Sequence, residues 1–218
     1  MLCTWKLLAP AALLLVLACQ PRSAEPLYAP WEEGLTLAFE DPSQPPTQRF
    51  SNRIQVRVAK STLAPGTPPQ VQLDLASVRG QLSLYLRPQD GGVTLVAEGG
   101  RVLGQLLPPG FPATTTWTES GVEYHVIGRA AWSGAALLPA TADPIGVWVE
   151  ARLPGGGRRR TLFLPNHGEV EVQELRGTEW VTVNRLVSRG FTDFPAFKRL
   201  RTRLARSRHG RTDHRRRP

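Results

Sequence analysis

Few side chains in this 218-residue chain have the pattern of a catalytic site. The sequence lacks a Gly-x-Ser-x-Gly nucleophile elbow, a His-Glu-x-x-His pair, a phosphate-binding loop and the glycine fingerprint of dinucleotide-binding proteins. Two of the four histidines, His125 and His167, lie in the body of the chain, and the other two belong to a basic C-terminal stretch. A hydroxyl nucleophile would need one of these two body histidines as its base.

A metal site would require His125 and His167 to converge with carboxylates such as Glu123 and Glu169. The simpler interpretation places His125 on the solvated face of a strand and His167 in a solvated turn. We therefore expect a protein without enzymatic activity, metal or cofactor. A periplasmic hydrolase that uses either histidine is the minority alternative.

The cysteines indicate a different chemistry, covalent lipidation. Lys6 precedes a twelve-residue apolar run at residues 7–18, which is shorter than the roughly 20 residues of a transmembrane helix and typical of a secretory signal. The run ends in Leu15-Val16-Leu17-Ala18-Cys19, which resembles the lipobox of bacterial lipoproteins, although Leu17 is bulkier than the usual occupant. The resemblance implies cleavage between Ala18 and Cys19, and acyl chains on the thiol and amino group of Cys19. An ordinary cleaved signal is the alternative.

Cysteine usage favours the lipidated form. Cys3 would leave with the signal, so the exported chain would keep one cysteine, at its first position, without a partner for an intramolecular disulfide. Several acyl chains hold a protein on a membrane more firmly than one. Gln20 follows the cysteine, and by resemblance to the enterobacterial sorting rule this predicts the periplasmic face of the outer membrane within the cell envelope.

The net charge of +9 is concentrated at the C-terminus. Residues 198–218 contain ten basic residues and one acidic residue, Asp213, so this stretch accounts for the whole excess. We predict a disordered basic tail that binds an anionic envelope surface rather than nucleic acid, because export separates it from cytosolic nucleic acid. The cations proposed to bind that surface are Lys198, Arg199, Arg201, Arg203, Arg206 and Arg208. A smaller cluster, Arg158-Arg159-Arg160, is interpreted as solvated charge at a strand edge.

Between the two ends, apolar and polar residues alternate with a period of two. The segments that do so are residues 35–39, 54–58, 71–75, 82–86, 93–97, 102–107, 122–127, 147–153, 161–164, 169–175 and 180–186. This alternation predicts antiparallel strands with one apolar face. Turns such as Asp90-Gly91-Gly92 and Glu98-Gly99-Gly100 connect them into hairpins.

We therefore predict a mainly β fold, an antiparallel meander that forms a half-barrel, barrel or sandwich, with at most one or two short helices. The alanine-rich residues 128–139 are a candidate helix, and residues 108–112 predict a rigid irregular connection. The predicted organisation is a lipoprotein signal peptide (1–18), a tether (19–30), a β domain (31–197) and the basic tail (198–218).

Core packing explains most of the tryptophans of the β domain, and a ligand cavity is the alternative. Large amphipathic aromatic residues fill cores and also line apolar cavities; the candidates for cavity lining are Trp117, Trp132, Trp148 and Trp180. The runs Val181-Thr182-Val183-Asn184-Arg185-Leu186 and Phe191-Thr192-Asp193-Phe194-Pro195 resemble the closing strand of periplasmic lipoprotein carriers and their outer-membrane receptor relatives, as the two glycine-rich turns resemble their hairpins. The amphipathic N-terminal helix of that family is not evident in this chain.

That resemblance implies an incomplete antiparallel barrel whose apolar cavity holds lipid acyl chains. The leading functional hypothesis is thus a non-catalytic, lipid-anchored envelope protein that binds a lipid, a lipoprotein acyl chain or another envelope component. The alternative is a structural or assembly lipoprotein that contacts a protein partner without a ligand cavity.

Cys19→Ala tests the lipidation hypothesis, because it removes the thiol that would carry the lipid. We expect the variant to remain unprocessed or to leave the membrane fraction. Palmitate labelling followed by membrane fractionation measures both effects, with Cys3→Ala as the matched control. Labelled palmitate in the Cys19→Ala protein would contradict the lipobox prediction.

Overall fold

A computed structural model of the chain describes residues 26–62, 70–97 and 100–191. The predicted signal peptide, Cys19 and the cations of the basic tail lie outside the described residues. Within those ranges no helix is long and apolar enough to cross a membrane.

The described chain consists almost entirely of strands, in agreement with the predicted mainly β class. The strands are β1 (Thr36–Glu40), β2 (Ile54–Thr62), β3 (Gln70–Ser77), β4 (Gly80–Gln89), β5 (Gly92–Val96), β6 (Val102–Leu107), β7 (Thr116–Glu119), β8 (Val122–Ala131), β9 (Ile145–Arg152), β10 (Arg158–Leu164), β11 (Gly168–Arg176) and β12 (Glu179–Gly190). A short helix, α1 (Pro46–Ser51), follows β1, and one 3-10 turn, η1 (Ala135–Leu137), lies within the alanine-rich segment.

All twelve strands belong to one antiparallel sheet in the order β6-β5-β4-β3-β2-β1-β12-β11-β10-β9-β8-β7. Each strand pairs with its chain neighbour except at one place, and β1 pairs with β12 to join the two halves. The sheet therefore curls into a nearly closed barrel rather than a sandwich. The exception is between β6 and β7, the two edge strands, which share no ladder; we call this boundary the seam.

Alternation along the strands divides the sheet into two faces. Val58, Leu73 and Leu84 lie opposite one another across β2, β3 and β4 and contribute to the inner, apolar face. Asp74 and Ser83 lie opposite one another on the outer face, where the Ser83 hydroxyl donates to the Asp74 carboxylate over 2.8 Å. Burial of the inner row is the main driving force for folding this half of the barrel.

One end of the barrel is filled by chain segments that do not belong to the sheet. Tyr28 and Phe111 are buried and meet edge to face with ring centroids 4.9 Å apart. The backbone N–H of Asn166 donates to the carbonyl of Leu27 over 2.6 Å. The packed domain thus begins by Leu27 and not at residue 31, because Tyr28 and Ala29, at the end of the predicted tether, are buried.

The outer face of β9–β12 carries a network of charged and aromatic side chains. Glu171, with 6% of its side chain exposed, accepts hydrogen bonds from Gln173 (2.7 Å) and Thr182 (3.2 Å) and pairs with Arg185 at 3.2 Å. Glu150 accepts two hydrogen bonds from Arg158, at 3.0 and 2.9 Å. Charge pairing and hydrogen bonding compensate the desolvation of both carboxylates.

Arg160 lies between two aromatic rings on the same face. Its guanidinium carbon is 4.5 Å from the ring centre of Trp180 and 5.1 Å from that of Trp148, within cation–π range. Its Nε donates to Gln173 over 2.6 Å. The prediction of a solvated edge cluster at residues 158–160 is wrong, because β10 is paired on both sides, with β9 and β11.

Glu171→Ala tests the importance of the outer network for stability. Its removal leaves Gln173, Thr182 and Arg185 without their shared acceptor, so we expect a loss of about 3 kcal/mol in the free energy of unfolding. Glu174→Ala, on the same strand but 46% exposed, is the control and should change stability by about 0.5 kcal/mol or less. Urea unfolding followed by circular dichroism measures both, and equal effects would show that the network contributes no more than a surface pair.

Candidate functional site

A cavity of about 200 Å³ lies on the inner face beside the seam. Five consecutive strands and the edge strand β6 provide its walls. The lining residues are Gln105, Leu106, Trp117, Tyr124, Val149, Ala151, Leu153, Arg159, Thr161, Phe163 and Glu169. We call this space the seam cavity.

One wall of the seam cavity is aromatic. The rings of Trp117 and Tyr124 stack with centroids 4.9 Å apart and an interplanar angle of 6°. Their positions follow from the β7–β8 register, which places them directly opposite one another. Phe111 supports this wall edge-on, 6.3 Å from Trp117, and also contacts Phe163 at 6.2 Å. The rigid loop after β6 thereby fixes the rings that face the cavity.

A second wall is polar. Arg159 Nη2 lies 3.9 Å from Glu169 Oε2, a distance that allows charge attraction but exceeds a hydrogen bond. The Asn184 side-chain amide donates to Glu169 Oε1 over 3.2 Å. Val172 lies opposite Thr161 on one side and Asn184 on the other, so all three share the inner face. An arginine and a carboxylate thus project into the barrel beside the inner-face residues Thr161 and Asn184.

The barrel interior changes the acid–base properties of two lining groups. Desolvation raises the pKa of Glu169 above its ordinary range, against the opposing effects of Arg159 and the Asn184 hydrogen bond. Desolvation also raises the pKa of Tyr124; the negative charge of Glu119 adds to this effect and Arg159 opposes it. A third of the Glu169 side chain (33%) is open, and this surface faces the cavity.

Two donors of the seam cavity have no hydrogen-bond acceptor among the described residues. These are Nε of Arg159 and Nε1 of Trp117, and both atoms are buried. A buried donor without an acceptor destabilises the protein by about 1–3 kcal/mol. Both atoms are covered by other protein atoms, so a ligand acceptor would remove this penalty once the two side chains turn towards it.

The four tryptophans predicted to line a cavity occupy different places. Trp117 lines the seam cavity. Trp132 is buried in the core beside Gly134. Trp148 and Trp180 contact Arg160 on the outer face. Side chains alternate between the two faces along each strand, and these two positions lie on the side of the sheet opposite to the cavity. The structure does not bring these four rings together around one space.

The two body histidines are also separated. His125 lies opposite Glu150 in the β8–β9 register, on the outer face. His167 is buried in the turn before β11, where its Nδ1 donates to the carbonyl of Pro165 over 2.8 Å and desolvation lowers the pKa of its ring. No group of three His, Cys, Asp or Glu residues suited to hold a metal exists within the described ranges.

The sequence predicts Glu169 as a possible metal ligand and Arg159 as part of an edge cluster, and it predicts neither of them to line a cavity. Arg159 is the middle member of three arginines, and β10 alternation separates it from Arg158 and Arg160. The sequence contains one indication of this arrangement. Arg159, Thr161 and Phe163 occupy alternate positions of β10 and therefore lie on one face, so a charged residue lies on the same face as Phe163. Without the strand register, three consecutive arginines give no indication of which one turns inward.

No protein-family model matches the chain, and no curated protein matches it. Two solved structures resemble part of it. One is described as a "putative exported protein" with a YmcC-like fold from Bacteroides fragilis; the match covers 76% of this chain and 99% of that chain, with 13% identity and a TM-score of 0.44. The other, a "putative lipoprotein" from Parabacteroides distasonis, has the same coverage, with 10% identity and a TM-score of 0.42.

Glu169→Gln tests the electrostatics of the cavity. With its pKa raised by folding, Glu169 binds a proton more tightly in the native than in the unfolded state. Native stability should therefore fall as pH rises from the unfolded pKa to the folded pKa of this group. The variant lacks this titration and keeps an acceptor for Asn184, so its stability relative to wild type should increase with pH over that interval.

Thermal unfolding from about pH 4 to 8 measures this difference. Glu179→Gln, at an exposed position at the start of β12, is the control and should follow the wild-type curve. Parallel curves for wild type and Glu169→Gln would contradict the assigned direction of the pKa shift.

Proposed function

We propose that this protein is a non-catalytic lipoprotein of the bacterial cell envelope, anchored through Cys19, whose barrel binds one acyl chain in the seam cavity. The observation that carries the proposal is the composition of that cavity. Trp117, Tyr124 and Phe163 provide an apolar surface, and Arg159 and Glu169 provide a small polar region on the adjoining wall. Such a combination suits an amphipathic ligand with a long apolar part and a compact polar end.

The cavity volume limits what can be bound. At about 200 Å³ it is smaller than the ~300–1,000 Å³ typical of sites that enclose a drug-sized ligand. A single chain, partly enclosed, is therefore the proposed occupant, and a lipid with several chains would leave the others outside. The seam provides a route, because β6 and β7 can separate without breaking a ladder.

A second function, assembly with a protein partner, is favoured by the edge strand β6. Val102, Leu103 and Leu106 are exposed on this strand, at 58%, 40% and 39%, and β6 pairs with β5 along one edge only. An apolar edge strand with free backbone groups can accept a strand from another protein. In that case the seam would be the place of strand addition, and the cavity would have no ligand of its own.

Ala151→Leu separates the two functions by filling the cavity. Ala151 lines it and is 8% exposed, so the larger side chain should occupy the ligand space at a cost of about 1–3 kcal/mol in stability. We expect binding of decanoate, measured by titration calorimetry, to fall at least about tenfold, because the apolar contact area is lost. Ala131→Leu, at an exposed position at the end of β8, is the matched control and should bind like wild type.

Unchanged decanoate binding in a folded Ala151→Leu protein would show that the acyl chain does not enter this cavity. Failure of the wild-type protein to bind decanoate, together with strand addition at β6, would favour the assembly function.

A further inference from the structure

We propose that the seam cavity recognises the carboxylate end of its acyl ligand, with Arg159 and Trp117 as the donors that hold it. This inference rests on the proposed function and specifies the ligand as a fatty-acid-like monoanion. The combination of an apolar wall and two unpaired donors in one cavity carries the argument.

The first donor is Arg159, whose guanidinium lacks an internal partner of hydrogen-bond quality. The nearest carboxylate, on Glu169, is 3.9 Å away, and one of its oxygens is engaged by Asn184. Nε of Arg159 is buried and unpaired, although 43% of the side chain is open. Arginine presents a planar pair of donors to a carboxylate, which suits an incoming anion.

The second donor is the indole N–H of Trp117. It is buried without an acceptor, and its ring is fixed between Tyr124 and Phe111. An indole nitrogen can only donate, so any ligand oxygen with a free lone pair can satisfy it, and an ionised carboxylate accepts the strongest hydrogen bond. The indole ring of Trp117 also lines the cavity. In the proposed complex, the head group and the first carbons of the chain therefore both contact Trp117.

The charge balance favours one negative charge. The charged groups that line the cavity are Arg159 and Glu169. Arg159 and Glu169 already lie 3.9 Å apart, so each negative charge on a ligand adds repulsion from the Glu169 carboxylate, and a monoanion adds less of it than a dianionic phosphate does. An alcohol of the same chain length would fill the apolar region and lack the charge.

The test compares ligands of equal chain length on the full chain. We expect wild type to bind decanoate about 10- to 100-fold more tightly than decanol, the range for a charge-assisted hydrogen bond, and more tightly than decyl phosphate. Arg159→Gln should remove most of the preference for decanoate, because it weakens decanoate binding much more than decanol binding. Trp117→Phe, which keeps an aromatic ring, should reduce decanoate binding several-fold with little effect on decanol.

Two further variants serve as controls for the effect of Arg159→Gln on ligand binding. Arg176→Gln changes an exposed arginine on β11 and should behave as wild type. Arg159→Lys keeps the charge without the planar fork and should be intermediate, which a merely structural role would not produce.

Equal losses for decanoate and decanol in Arg159→Gln would overturn the head-group assignment, as would a preference for decyl phosphate. Equal wild-type affinity for decanoate and decanol would overturn it while leaving acyl binding in place. If wild type binds none of the three ligands, the proposed function fails together with this inference.

Discussion

Strand alternation along β10 is the constraint on which most of the chemistry of this protein depends. Arg158 and Arg160 lie on the outer face, where Glu150, Gln173 and two tryptophans surround them. Arg159 lies on the inner face, in the wall of the seam cavity. The outer arginines are satisfied by the protein itself. The inner one is attracted to Glu169 across 3.9 Å and keeps an unpaired Nε. The same strand thus contributes to stability on one face and has capacity for a ligand on the other.

The seam explains why Arg159, with its unpaired Nε, lies beside an open space. Hydrogen bonding around the barrel is continuous except between β6 and β7, and the loop joining these strands is fixed at the closed end by Phe111. The strands come close near the middle of β6, where a Cβ added at Gly104 would lie 3.2 Å from the carboxylate of Glu119. Contact without a ladder leaves the inner residues next to the seam incompletely covered. Apolar and polar lining residues consequently meet in a cavity rather than in a filled core.

Alternation in the sequence predicts most of the sheet but little of the site. Strands with several apolar residues at alternate positions are predicted to within a few residues of their observed ends. In contrast, β7 contains one large apolar residue, Trp117, and its strand structure depends on pairing with β8. The helix α1 begins at Pro46, within a proline-rich segment that gives no indication of a helix. Proline is nevertheless favourable in a first helical turn. Register and closure are decided by contacts between distant segments and by bulges, such as the shift between Leu162 and Phe163. Those long-range terms determine which arginine turns inward.

The indole N–H signals of the tryptophans provide the most direct test of this division between the faces. In a nitrogen–proton correlation spectrum, we expect a fatty-acid carboxylate to shift the Nε1–H signal of Trp117 downfield, because that proton gains an acceptor. The signals of Trp148 and Trp180, on the outer face, should remain in place. A ligand that moves the outer signals and leaves that of Trp117 unchanged would contradict the assignment of the seam cavity as the binding site.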